Sequence, residues 1–264
     1  MTAVGESLAR ARTEGRAALI GYLPVGYPSV EVSIAAMRAL VENGVDIVEV
    51  GVPYSDPVMD GPTIQRATEP AVQAGVGIGD ALQAVAGVAA AGGAAVTMGY
   101  WNQVERYGVA RFAADLAAAG GSGAITPDLI PDEADEWLAA TDEHGLDRVF
   151  LVAPSSTDRR IVDTAAASRG FVYATAVMGV TGARASVDGA AATLVGRVRA
   201  LAPDIPVCVG LGVSTGAQAA EVAAFADGVI VGSALVRCLL DSPDAVGVQA
   251  VGALAAELAR GVRG

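Results

Sequence analysis

The chain alternates short apolar runs with longer segments in which hydrophobic positions recur at helical spacing. Runs of seven or eight residues rich in Val, Ile and Gly have the length and composition of buried strands. There are eight of them, at 17–23, 45–52, 94–100, 123–129, 147–153, 170–177, 205–212 and 227–234. The alanine-rich segments between them are typical of helices, and several end at glycine, where helices often stop. The pattern predicts parallel strands crossed by helices.

Eight strand and helix units in 264 residues predict one (β/α)8 barrel, an α/β fold, rather than an open sheet. No change of composition and no Pro/Ser-rich linker marks a boundary, so we expect a single domain over residues 1–264. Three segments leave room for extra helix. The first is the N-terminal stretch at 7–16, placed to plug the bottom of the barrel; the others follow strand 2, over 63–93, and strand 8.

Composition narrows the class of protein. Hydrophobic residues make up 53% of the chain, which is ample for a large core. No window of about 20 residues is both apolar and free of charge, and the N-terminus has no apolar signal core, so we expect a cytoplasmic protein without a membrane span. The net charge of -12 disfavours nucleic acid and anionic membrane surfaces as partners.

The basic residues restrict the chemistry further. All 17 are arginine, so a lysine Schiff base and a lysine-bound pyridoxal phosphate are excluded. The single histidine, His144, lies in TDEHGLD, a pattern typical of an exposed helix end, and one histidine cannot build a multi-histidine zinc site. Cys208 and Cys238 lie in apolar runs without metal-ligand spacing. We therefore expect no metal and no cofactor in this chain, and chemistry carried by carboxylates, hydroxyls, arginine and backbone dipoles.

One strand carries a carboxylate. Glu49 lies within the second apolar run, and side-chain alternation puts it on the same face as Ile47 and Gly51. If that face points inward, Glu49 stands in the mouth of the barrel, where active sites of this fold lie. Desolvation there would raise its pKa toward neutrality, as a general acid requires. The strand pattern alone leaves open the alternative that Glu49 faces solvent or pairs with an arginine.

Three predicted strands end in glycine-rich sequence: GVTGAR at 179–184, VCVGLGVSTG at 207–216 and VIVGSALV at 229–236. Such loops expose backbone N–H groups, and a helix beginning at Gly232-Ser233 would direct its positive end toward an anion. Each cluster alone is a weak signal, because glycine also serves tight turns. Three at neighbouring strand ends favour a phosphate site.

Several motifs identify a family resemblance. They are ALIGYLPVGYPS, VEVGVPYSDPVMDGPTIQ, TMGYWNQVERYG, ITPDLIPDEA, the VTG of GVTGAR, VGLGVS and VGSALV. The chain resembles the tryptophan synthase alpha subunit family nearly end to end, and the second motif is the longest and most specific. The resemblance implies a (β/α)8 barrel that cleaves indole-3-glycerol phosphate to indole and glyceraldehyde 3-phosphate. It also implies that indole passes to a pyridoxal-phosphate beta subunit within an alpha-beta-beta-alpha complex.

The resemblance implies roles for individual residues. Glu49 matches the principal acid/base, Asp60 its partner acid, and Tyr173 a tyrosine lining the substrate site. The other matched positions bind phosphate (Gly182, Gly212, Gly232, Ser233), contact indole (Tyr22, Met98, Ile125, Leu211) or belong to loops at the partner interface (Asp56, Asn102, Thr181).

The sequence departs from the family pattern at three positions. Tyr22 and Leu211 stand where several relatives have phenylalanine, and both are bulky enough to wall an indole. Gln103 stands where many relatives have proline, close to the residues matched to the partner interface.

Retro-aldol cleavage requires a proton on indole C3, compensation of charge on the indole ring, and removal of a hydroxyl proton. Glu49 suits proton transfer and Asp60 suits charge compensation. Three other functional hypotheses remain: a regulatory subunit without activity, a free-standing lyase that releases indole, and another phosphate-binding barrel. Intact Glu49, Asp60 and Tyr173 argue against the first, and the long match from Glu49 to Gln65 argues against the third. Asp56 favours a chain that binds a partner, but it leaves the second hypothesis, a free-standing lyase, open.

Overall fold

The computed structural model describes residues 1–175, 184–210, 212–242 and 244–264, with the backbone alone for 184–188. The strands in these ranges are β1 (Ala18–Pro24), β2 (Ile47–Gly51), β3 (Ala94–Met98), β4 (Gly123–Ile125), β5 (Asp147–Val149), β6 (Leu151–Val152), β7 (Val172–Thr175), β8 (Val207–Gly210) and β9 (Gly228–Val231). They form one parallel sheet in the order β5-β4-β3-β2-β1-β9-β8-β7-β6.

The sheet forms a nearly closed barrel. Its two edge strands, β5 and β6, are consecutive in the chain and therefore lie next to each other. Only Phe150 separates β5 from β6. On one side Thr126 N–H donates to Val149 O at 3.4 Å, and on the other Tyr173 N–H donates to Phe150 O at 3.1 Å. β5 and β6 thus occupy a single one of the eight strand positions around the barrel. Each of the eight predicted apolar runs contains one of these strand positions. The predicted (β/α)8 fold is confirmed, while the interruption at Phe150 was not predicted.

Helices surround the barrel, with extra ones at the predicted places. They are α1 (Ala3–Thr13), α2 (Val30–Glu42), α3 (Pro62–Gln73), α4 (Ile78–Ala90), α5 (Trp101–Tyr107), α6 (Val109–Ala118), α7 (Asp135–His144), α8 (Asp158–Ala167), α9 (Arg184–Leu201), α10 (Gly216–Ala223), α11 (Ser233–Asp241) and α12 (Asp244–Arg263). Helices α5 and α6 are separated at Gly108, whose φ of +98° interrupts the helical backbone.

Alternating side chains divide the core into two layers. Ile20, Ile47 and Val96 belong to a cluster inside the barrel, whereas Val48 and Val50 pack against the helices outside it. Such alternation follows from the pleat, which turns successive side chains to opposite faces.

Helix α1 closes the bottom of the barrel. Its buried residues Val4, Leu8 and Ala11 join the inner cluster, so the predicted plug is confirmed, although it begins at Ala3 rather than near residue 7. Thr2 accepts from Gly5 N–H as the N-cap, and its hydroxyl donates to the buried Asp147 carboxylate. The plug is thereby anchored to the start of β5.

Helix α12 is the one helix in the described ranges whose length and hydropathy reach those of a membrane span; α3 and α4 reach them only together, across a 115° bend. It packs against α2, α10 and α11. Its residues Val251, Ala255 and Leu258 are fully buried there. These contacts are those of a helix in the outer layer of the barrel.

Candidate active site

The site lies at the carboxyl end of the barrel strands and begins with Glu49. Glu49 is the cross-strand neighbour of Tyr22 in β1 and Val96 in β3. The face that Glu49 shares with Ile47 points inward, and Glu49 is only 1% exposed. Its Oε1 atom is buried without a hydrogen-bond partner among the described residues. A buried carboxyl in this position is costly to ionise.

Glu49 and Asp60 differ in pKa because they differ in burial. Desolvation raises the pKa of Glu49 from 4.5 to about 8, and that of Asp60, which is less buried, from 3.8 to about 6. Near neutral pH, Glu49 therefore holds its proton while Asp60 is ionised. This arrangement provides a proton donor and an anion in one site.

Both acids line a cavity of about 300 Å³, a size at the lower end of small-molecule sites. Eight of the predicted site residues line it. They are Tyr22, Glu49, Asp60, Met98, Tyr173, Gly212, Gly232 and Ser233.

The phenol rings of Tyr22 and Tyr173 have room at the cavity because a glycine lies next to each of them. A Cβ atom at Gly51 would stand 2.5 Å from the Tyr22 hydroxyl oxygen, and one at Gly210 would stand 2.5 Å from that of Tyr173. Burial, and then nearby carboxylates, raises the pKa of both phenols well above the usual value. Both tyrosines therefore stay protonated and can donate hydrogen bonds to a ligand.

Backbone N–H groups gather at one side of the cavity. Gly212, with φ of +66°, follows β8, and α11 starts at Ser233 directly after Gly232. The first N–H groups of a helix have no intrahelical acceptor, and the helix dipole makes this end positive. This side of the cavity can hold an anion. The third predicted glycine, Gly182, lies outside the described residues.

The predicted indole contacts fall in different places. Tyr22 and Met98 line the cavity. Ile125 is fully buried inside the barrel, paired with Met98 in register, and is not among the cavity-lining residues. Leu211 lies outside the described residues. The indole assignment thus has two cavity-lining members among the described residues.

Two of the residues predicted to face a partner, Asp56 and Asn102, lie at the same end of the barrel. Asp56 is exposed in the loop between β2 and α3, where it accepts the Ser55 hydroxyl at 2.6 Å. Asn102 is exposed on α5. Val58, in the same loop as Asp56, is 78% exposed. Thr181 lies outside the described residues.

The cavity also has lining residues that the sequence analysis did not select: Gly210, Met59, Gly61, Ile64, Leu151, Thr175 and Ile230. Side-chain alternation contained the signal for two of them, because Thr175 follows Tyr173 by two residues and Ile230 precedes Gly232 by two. Met59 and Ile64 lie in a loop and the following helix, where no strand period applies.

The comparisons with known proteins agree with this architecture. The family model described as "Tryptophan synthase alpha chain" matches residues 8–261. A tryptophan synthase alpha chain of Mycobacterium marinum is 66% identical over 252 residues, covering 96% of this chain and 91% of that protein. One of Salinispora arenicola is 64% identical over 264 residues, covering 100% and 98%.

Solved structures show the same similarity. The crystal structure of M. tuberculosis tryptophan synthase in an open form with BRD0059 bound superposes with a TM-score of 0.91 at 60% identity, covering 100% of this chain and 99% of that one. The alpha subunit from Legionella pneumophila has a TM-score of 0.90 at 31% identity, covering 99% and 98%. The chain therefore belongs to the tryptophan synthase alpha chain family, carbon–carbon lyases that cleave indole-3-glycerol phosphate.

Proposed function

We propose that Glu49 and Asp60 together carry the retro-aldol cleavage of indole-3-glycerol phosphate in this chain. The observation that carries the proposal is the pair of carboxyl groups in one cavity with pKa values near 8 and near 6. A protonated acid and an ionised acid are the two states that this reaction requires at neutral pH.

In the proposed sequence, Glu49 first donates its proton to indole C3. The ring then carries positive charge, which the ionised Asp60 compensates. The bond between C3 and the glycerol chain breaks, and its electron pair returns to the ring. The carbon released from C3 becomes the aldehyde as its hydroxyl proton passes to the Glu49 carboxylate, which restores the starting acid. The tyrosines Tyr22 and Tyr173 donate hydrogen bonds from the cavity wall.

The phosphate of the substrate is proposed to bind at the glycine side of the cavity. Gly212 and the start of α11 at Gly232-Ser233 supply N–H groups and the helix dipole there. Gly182 is proposed to complete this side, and Thr181 to act in the same loop, on the basis of the family resemblance. Tyr22, Met98, Ile125 and Leu211 are proposed to surround the indole.

We further propose that the chain acts as a single domain over 1–264 in the cytoplasm, without a metal or cofactor of its own. Its proposed partner is a pyridoxal-phosphate beta subunit in an alpha-beta-beta-alpha tetramer, which receives the indole. The exposed positions of Asp56 and Asn102 support a partner surface at the mouth of the barrel.

The test is steady-state indole release by the full chain, measured with and without a tryptophan synthase beta subunit. Glu49→Asp withdraws the carboxylate by roughly 1.5 Å, a misplacement that can cost about a hundredfold in rate. Near-normal turnover by Glu49→Asp or Glu49→Gln would refute the proposed acid. Stimulation by the beta subunit supports the partner assignment, whereas equal release in both arms indicates a free-standing lyase.

A further inference from the structure

The loop that carries Asp60 is attached to the start of α5 at both of its ends. This loop, residues 52–61, joins β2 to α3. Near its beginning, Pro53 O accepts a hydrogen bond from Gln103 Nε2 at 2.8 Å. Near its end, Met59 N–H donates to the Tyr100 hydroxyl oxygen at 2.9 Å. Two side chains that lie three residues apart therefore hold a loop that is distant from them in sequence.

Both side chains are themselves held in place. Gln103 Oε1 accepts from Tyr100 N–H at 3.3 Å, which leaves the Gln103 amide nitrogen directed at Pro53. Tyr100 is 5% exposed, and its ring stacks on Tyr54 with centroids 4.8 Å apart. A buried phenol with a stacked ring has few alternative rotamers, so its hydroxyl is a fixed acceptor.

We propose that Tyr100 and Gln103 are positioning residues that form a clamp holding Asp60 at the mouth of the catalytic cavity. The inference rests on the proposed role of Asp60. Met59, which the Tyr100 hydroxyl binds, directly precedes Asp60, and Asp60 O accepts from Gln65 Nε2 at 2.8 Å. The backbone is thus tied on both sides of the Asp60 side chain.

Gln103 supplies one half of the clamp through both ends of its side-chain amide. Its side chain makes one bond as acceptor and one as donor. A proline at this position would have no side-chain amide and could make neither bond. We therefore assign the hold on Pro53 to the glutamine itself.

Two conservative variants separate the halves of the clamp. Tyr100→Phe keeps the buried ring and its stacking but removes the acceptor for Met59 N–H. Gln103→Glu keeps an acceptor for Tyr100 N–H but loses the donor to Pro53 O. Tyr107→Phe is the matched control, because it removes a phenol hydroxyl at the other end of α5, where that hydroxyl donates to Asp115 at 2.7 Å.

The readouts are kcat and KM for indole release by the full chain, and the pH dependence of kcat. We expect each clamp variant to lower kcat about fivefold to tenfold, the loss typical of one hydrogen bond, with little change in KM. A loosened loop hydrates Asp60 and lowers its pKa, so the acidic limb of the profile should move to lower pH. A role confined to stability would lower the melting temperature without moving this limb.

The proposal fails if both variants keep the kcat and acidic limb of the wild type while Asp60→Asn loses activity. Unchanged activity in Asp60→Asn would instead refute the catalytic role of Asp60, a separate result. Amide hydrogen exchange on the wild-type chain tests the clamp without any substitution. The Met59 amide should exchange more slowly than that of the exposed Asp56, and equal rates would overturn the clamp.

Discussion

The burial of Glu49 predicts that its removal stabilises the fold in a pH-dependent manner. In Glu49→Gln, a neutral amide of similar size replaces the carboxyl group whose Oε1 has no partner among the described residues. The unfolded chain ionises this group near its usual pKa of 4.5, whereas the folded chain retains the proton up to about pH 8. Because the folded state binds more protons between these values, wild-type stability falls as pH rises through that window.

The magnitude follows from the two pKa values. At about 1.4 kcal/mol per pKa unit, the carboxyl group costs the folded state about 1 kcal/mol at pH 5 and about 4 kcal/mol at pH 8. Glutamine carries no such cost. The variant should therefore gain about 3 kcal/mol relative to the wild type between these two pH values.

Urea denaturation at pH 5 and pH 8 measures this difference, with tryptophan fluorescence as the signal, because Trp137 is fully buried in the folded chain. Glu136→Gln, at an exposed position on α7, is the control. Its free energy of unfolding relative to the wild type should not increase comparably between pH 5 and pH 8. The same Glu49→Gln chain should lose indole release by about 10²- to 10⁴-fold, the usual contribution of a general acid. A stability difference equal at both pH values would refute the desolvation argument.

Three further variants test contacts within the barrel, one at the site and two at the opposite end. Gly210→Ala places a methyl group 2.5 Å from the Tyr173 hydroxyl oxygen and should impair turnover more than folding, as kinetics and thermal melting together would show; normal kinetics would count against the close fit. Arg16→Met leaves Asp46 buried after losing contacts of 2.7 and 2.9 Å, and should lower the free energy of unfolding by about 3–5 kcal/mol, measured in urea. Leu8→Ala removes a buried side chain from the plug helix and should cost about 2–5 kcal/mol by the same measurement, whereas a loss below about 1 kcal/mol would mean that the plug contributes little.

Local pattern was sufficient for the barrel and for the strand face that carries its acid. The eight apolar runs predicted the eight strand positions because strand and helix periods are properties of short segments. The same period of two placed Glu49 on one face with Ile47 but left open whether that face points inward; in the structure it does. The order of strands around the barrel then followed from short, right-handed connections between consecutive elements.

Tertiary structure decided the features that depend on residues far apart in sequence. The pKa of Glu49 reflects how completely neighbouring strands exclude water, and the position of Asp60 depends on bonds from Tyr100 and Gln103 across some 40 to 50 residues. Ile125 is apolar and pairs in register with Met98, which lines the cavity, yet Ile125 itself lies outside the cavity lining, a difference that the strand pattern does not show. A sequence pattern determines which side chains share a face of a strand. The distances between side chains on different elements are set only when the chain folds into the barrel.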